Sequence, residues 1–292
     1  MNREKLALGN LNIAYLEWKN QGLLEGKSQN ILLLHGMADN CLVWQKLGEF
    51  LSTNNRNYHI IAPDLRGHGN SSKPKTGYFK DDYLEDLSKI YQHFNWQKAH
   101  IIAHSWSAKI ACIWATQNPQ LCQSLTLIDP FFINSMPSFF SLTFPILYKV
   151  LPFLKLMQLF PDYLSIEKTA KTLKQYQGWT PWQQEIFNYG IEQKKDGYWS
   201  SKFSQAARNE IFEDVMKEKG LTTKLDLPSL LVLPEKGLNR TSWQISPYKQ
   251  YLTNLQIAKV KGNHWAFIVE TDEFNQTINQ FLQSLQLEKG KI

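Results

Sequence analysis

IIAHSWSAKIA, residues 101–111, is the stretch on which the fold turns. Its apolar start, continuing KAH (98–100), has the composition of a buried strand. Its second half runs into SAKIACIWATQ (107–117), where apolar residues recur at helical spacing. Ser105 therefore sits where a strand turns into a helix. Ala103 and Ser107, two residues before and two after it, are small, as a tight turn between packed backbones requires. The bulky Trp106 follows directly, so Ser105 reads either as a plain helix N-cap or as a reactive hydroxyl lifted onto the turn.

The flanking sequence repeats the pattern. NILLLHG (30–36), YHIIAPD (58–64) and SLTLID (124–129) are near-continuous apolar runs closed by polar or turn residues, as expected of parallel strands buried on both faces. Between them, LVWQKLGEFLS (42–52) and DDYLEDLSKIYQHF (81–94) have helical periodicity. The alternation stops at 131–218, which reads as helical throughout, with helix starts at Ser165 and at Thr180-Pro181. It resumes with PSLLVLP (228–234), SPYKQYLT (246–253), QIAKVKG (256–262) and a last helix striped by Phe274, Ile278, Phe281, Leu282 and Leu285. KLALGN and LNIAYLEW near the start read as added antiparallel edge strands. The expectation is an α/β protein. A mostly parallel, doubly wound sheet of about eight strands forms a core from residues 1–130 and 219–292. A helical cap, residues 131–218, is inserted after the sixth strand.

The 292 residues are 43% hydrophobic and 13% aromatic, which suits a packed core and excludes a disordered chain. The net charge is +6, yet no Lys/Arg-rich run is present, so no nucleic-acid partner is expected. Three cysteines without metal-like spacing point to no metal site and to a reducing, cytoplasmic setting. The first residues, MNREKLALGN, lack the apolar run of a secretory signal. FFSLTFPILYKVLPFLKLMQLF (139–160) is apolar but interrupted by Pro145, Lys149, Pro152 and Lys155. It reads as a greasy lid rather than a membrane span, and leaves a weak peripheral contact with an anionic membrane open.

LLLHGMADN (32–40), APDLRGHGNSSKP (62–74), IIAHSWSAKIA and VKGNHWAF (260–267), in this order, resemble the α/β-hydrolase family with an inserted cap. The resemblance covers nearly the whole chain outside the cap. It implies that Ser105 is a nucleophile, that His264 is its base, and that the backbone amides of Met37 and Trp106 form the oxyanion hole. Gly36 would permit the close approach there. His35, His68 and His104 read as packing or bracing residues. The acid is where the chain departs from the family: the usual aspartate after the seventh strand falls on Gly237, in LPEKGLN (233–239). Asp129, at the end of the sixth strand, is the favoured substitute, with Glu235 as the alternative.

An acid at the sixth strand and a tryptophan after the nucleophile also resemble haloalkane dehalogenases, but those attack with an aspartate. Attack by Ser105 on an alkyl carbon would leave an ether that water cannot release, so acyl transfer remains. The resemblance thus implies hydrolysis of a small hydrophobic carboxylic ester or thioester without a cofactor. Trp106, Trp179, Trp182, Phe144 and Trp265 are the candidate substrate contacts. An acyltransferase and a non-catalytic hydrophobic-ligand-binding protein on the same scaffold are the rival readings.

Overall fold

A computed structural model describes residues 1–20 and 28–289. The strands are β1 (Asn2–Leu8), β2 (Leu11–Lys19), β3 (Gln29–Leu34), β4 (Tyr58–Pro63), β5 (Ala99–His104), β6 (Cys122–Ile128), β7 (Ile191–Gln193), β8 (Trp199–Ser201), β9 (Ser229–Lys236) and β10 (Leu255–Asn263). Eight of them form one sheet in the order β1-β2-β4-β3-β5-β6-β9-β10. β1 and β2 pair antiparallel, β2 joins β4 antiparallel, and every later pairing is parallel. Ile31, Leu33, Ile101, Ile102, Leu125, Leu127 and Leu231 are fully buried, which explains why the inner strands read as unbroken apolar runs.

The core helices are α1 (Gln45–Asn54), α2 (Lys80–His93) and α3 (Trp106–Gln117). Leu47 and Leu51 of α1 pack in one apolar cluster, on one face of the sheet, and Tyr83, Leu87 and Ile110 of α2 and α3 in another. The excursion after β6 contains α4 (Phe144–Val150), α5 (Tyr163–Ala170), α6 (Pro181–Gly190) and α7 (Gln205–Lys217). It is not helical throughout, because β7 and β8 form an antiparallel hairpin within it. Nor does α5 begin at Ser165: Asp162 caps it, accepting from the Ser165 amide at 2.7 Å. Thr180 caps α6 in a capping box with Gln183, with Pro181 in the first turn.

The excursion leaves and returns at one place. The Gly220 amide donates to Ile133 O at 2.8 Å and the Met136 amide to Met216 O at 2.6 Å. The chain closes with α8 (Ser242–Tyr251), α9 (Ala266–Val269) and α10 (Thr271–Lys289), whose Phe274, Ile278, Phe281, Leu282 and Leu285 are all buried. Because β3, β5, β6, β9 and β10 are consecutive neighbours running parallel, the loops after all five meet at one edge of the sheet.

Candidate active site

Ser105 stands between β5 and α3 at φ 59°, ψ −123°, outside the range of an ordinary N-cap, and its side chain makes no capping bond. The turn is over-determined by its neighbours: the Ser105 amide donates to Ile128 O at 3.0 Å, and the Phe131 amide donates to Ser105 O at 3.1 Å. Ser107 does more than stay small. Its hydroxyl donates toward Leu34 O at 3.0 Å and His104 O at 2.9 Å, tying the turn to the end of β3.

His264 follows β10, two strands beyond β6 in the sheet. Its Nδ1 donates to Asp129 Oδ2 at 2.6 Å, and its Nε2 accepts from Ser105 Oγ at 3.0 Å. Asp129 is fully buried, with its backbone at φ 38°. Five donor contacts reach its carboxylate: His264 Nδ1, the Leu238 amide on both oxygens, the Asn239 amide, and Asn239 Nδ2. Burial alone would raise the Asp129 carboxyl, but His264 and these amides together hold it below the ordinary carboxylate range.

The empty position at Gly237 has a steric explanation. A Cβ on Gly237 would lie 2.6 Å from Asp129 Oδ2 and 2.8 Å from its Cγ. The carboxylate from the end of β6 occupies the space where a side chain after β9 would begin. Glu235 is exposed near the end of β9, and the carboxylate at His264 Nδ1 is that of Asp129.

His104, next to Ser105, is buried and donates from Nε2 to the His264 carbonyl at 2.9 Å, with its ring 4.4 Å from that of His264. Burial, and then the neighbouring His264, bring His104 down to about 4, so it is neutral at pH 7. A Cβ on Gly36 would meet His104 Nδ1 at 2.5 Å, so glycine there is a condition of the packing. His35 braces the neighbouring loop, accepting from the Leu65 amide at 3.0 Å on Nε2, and His68 stacks on Phe203.

Above Ser105 lies a cavity of about 440 Å³ whose walls include Met37, Trp106 and Trp265, within the size range of small-ligand pockets. Phe131, Leu151, Phe153, Phe212 and Met216 supply an apolar lining from the excursion. Three of the expected substrate contacts lie elsewhere. Trp179 packs against Tyr176 and Phe187, and Trp182 lies under Lys46 Nζ at 4.8 Å. Phe144 packs on Phe212 with centroids 5.8 Å apart, behind the wall that Phe212 forms. Helical spacing shows that an aromatic faces a core; it does not say which core. Phe212 and Met216, a turn apart on α7, line the cavity although the sequence does not single them out, as do Leu238, Asp39, Lys174 and Arg240. Among the described residues, no group of three or more His, Cys, Asp and Glu is placed to hold a metal ion.

A family model described as the alpha/beta hydrolase fold matches residues 29–271. Among curated proteins, a soluble epoxide hydrolase from a Corynebacterium species is 32% identical over 104 residues, covering 36% of this chain and 35% of its own. A 2-(acetamidomethylene)succinate hydrolase from Mesorhizobium japonicum is 33% identical over 105 residues, covering 36% of this chain and 37% of its own. The chain spans about a third of the length of these curated relatives. Among solved structures, E-2-(acetamidomethylene)succinate hydrolase superposes with a TM-score of 0.76 at 20% identity, over 97% of this chain and 99% of that one. A thioesterase domain from the curacin biosynthetic pathway superposes with a TM-score of 0.73 at 19% identity, over 95% of this chain and 98% of that one.

Proposed function

Because the chain belongs to the α/β-hydrolase fold family, we propose that it is a serine hydrolase acting on a hydrophobic carboxylic ester or thioester. The observation that carries this reading is the unbroken relay from Asp129 through His264 to Ser105, with bonds of 2.6 and 3.0 Å, opening on an apolar cavity. In the proposed mechanism His264 Nε2 takes the Ser105 proton as Oγ adds to the substrate carbonyl. The Met37 and Trp106 amides receive the developing oxyanion, and the positive end of α3 adds to their field. The tetrahedral intermediate collapses as His264 protonates the departing alcohol or thiol. Water, deprotonated by the same nitrogen, then cleaves the acyl-serine ester and releases the acid. Asp129 keeps the proton on His264 Nδ1 throughout. No step calls for a metal or cofactor, and residues 131–218 serve as the cap over the acyl group.

The Corynebacterium relative is named for epoxide hydrolysis. That chemistry does not transfer to a serine nucleophile, because opening an epoxide on Ser105 would leave an ether. The thioesterase and succinate-hydrolase neighbours are named for chemistries that a serine can perform. A fluorophosphonate probe should label the wild-type protein and fail to label Ser105→Ala. No labelling of the folded wild type would remove the enzyme reading in favour of a binding protein, and equal labelling of both would reassign the nucleophile. Product analysis with a competing alcohol separates hydrolysis from acyl transfer, the other reading of the same site.

A further inference from the structure

The cavity is apolar in its walls but cationic at three places on its boundary. Lys174 comes from the excursion, in the turn before α6. Lys236 is the last residue of β9, and Arg240 lies in the loop after it. All three line the same space as Ser105 and are exposed to solvent. None is in an ion pair among the described residues, whereas Lys89, Lys171 and Lys217 each face a carboxylate one helical turn away. Arg240 spends only Nε on the protein, donating to Gly237 O at 2.8 Å, which leaves both terminal nitrogens of its guanidinium open.

Asp39 is the carboxylate in the lining, and it is turned to the wall. Trp265 Nε1 lies 3.2 Å from each of its oxygens and His104 Nδ1 3.5 Å from Oδ2. With the buried Asp129 carboxylate behind His264 counted as well, three cations face two carboxylates, both committed to protein donors. The excess positive charge lies at the solvent rim, where low-dielectric walls focus it.

We propose that Lys174, Lys236 and Arg240 form an anion-binding rim, and that the substrate is an amphiphile whose anionic group sits on that rim while its acyl chain fills the apolar cavity. This inference rests on the ester-hydrolase reading for its chemistry and narrows the substrate to a charged class. An anionic ester can arrive dissolved or from a lipid surface. The segment beside the cavity suits the second source: Leu142, Ile146 and Val150, spaced four residues apart, are 80%, 66% and 58% exposed. They lead directly into Leu151 and Phe153 of the lining. From residue 130 to 161 the chain has Lys149 and Lys155 and no carboxylate, which favours an anionic bilayer.

The test compares three octanoyl-length esters: neutral 4-nitrophenyl octanoate, 3-octanoyloxy-4-nitrobenzoate with its charge on the alcohol side, and mono-4-nitrophenyl octanedioate with its charge on the acyl end. At least one anionic ester should exceed the neutral one in kcat/KM by about tenfold at low salt. That preference should shrink as salt rises, because screening acts on exposed charges. Lys174→Glu and Lys236→Glu, on separate elements, should each cut the anionic-to-neutral ratio several-fold. Equal kcat/KM on all three esters would overturn the rim while leaving the hydrolase intact.

Calorimetry with octyl phosphate and 1-octanol reads the rim without catalysis. Tighter binding of octyl phosphate to the wild type, lost in Lys174→Glu, supports it even if no ester turns over. Equal binding of both overturns it. Sedimentation with phosphatidylglycerol vesicles at low salt, lost on Leu142→Ser/Ile146→Ser, assigns the lipid source. No sedimentation, alongside a retained anionic preference, assigns a dissolved amphiphile.

Discussion

The carboxylate that orients His264 comes from the end of β6, and the room for it comes from Gly237. The two positions are coupled by contact, since a Cβ at 237 would stand 2.6 Å from Asp129 Oδ2. Gly237→Ala should therefore displace the carboxylate and lower kcat by at least about tenfold, although no functional group is removed. Asp129→Ala should cost about 10³–10⁴-fold in kcat, because the imidazole loses its tautomer and its orientation. The double variant Asp129→Ala/Gly237→Asp returns a carboxylate to the same volume from the other strand. It should recover about tenfold or more over Asp129→Ala, and a double variant no better than the single one would show that the shared volume is not what matters. Ser105 was legible as more than a cap because three companion motifs, LLLHGMADN, APDLRGHGNSSKP and VKGNHWAF, accompany it in order, its small neighbours only permitting the turn. Its conformation at φ 59° was not, since that depends on hydrogen bonds to Ile128 and Phe131 brought in by the next strand.

At the scale of elements, one buried lysine joins the excursion to the core. Lys109 of α3 is 1% exposed, and its Nζ donates to the carbonyls of Asn134 at 3.0 Å, Glu218 at 2.7 Å and Val215. These carbonyls belong to the way out of the core and to the C-terminal end of α7, where helix carbonyls lack intrahelical partners and a cation suits the dipole. Lys109→Met keeps much of the volume but strands three acceptors. It should cost about 2–4 kcal/mol in urea unfolding and speed proteolytic nicking within residues 131–218. An unchanged urea midpoint would mean that water replaces the ammonium at no cost. The helical periodicity around Lys109 indicated a buried face. Its partners, 25 to 109 residues away along the chain, left no local signal. The β7–β8 hairpin was missed for a related reason: its strands are three residues long, too short to develop an alternation.

For the whole molecule, the Asp129 carboxylate ties the proposed catalysis to stability. Its folded pKa is lowered, so its contribution is fully present above the unfolded carboxyl pKa of about 3.9 and is lost as pH falls through the folded value. Asp129→Asn should thus be less stable than wild type at pH 7, and the gap should narrow below about pH 4 when unfolding is followed from pH 7 to pH 3. A gap that stays constant would show that the carboxylate is not preferentially ionised in the folded protein. The sheet order assembles this site from distant sequence: Ser105 after β5, Asp129 after β6, the Leu238–Asn239 amides after β9 and His264 after β10 lie on four adjacent strands. By itself the sequence determined the parallel sheet and the strand-end positions of Ser105 and Asp129, because strands buried on both faces must be continuously apolar and their polar closures mark the edge. His264 follows a largely exposed edge strand, and its place was legible from the family-like stretch VKGNHWAF instead. Tertiary structure alone decided which carboxylate meets His264, which aromatics line the cavity, and where Lys174, Lys236 and Arg240 converge. Those outcomes depend on strand adjacency and on which way a helix face turns, and neither is encoded in the spacing of residues along a single element.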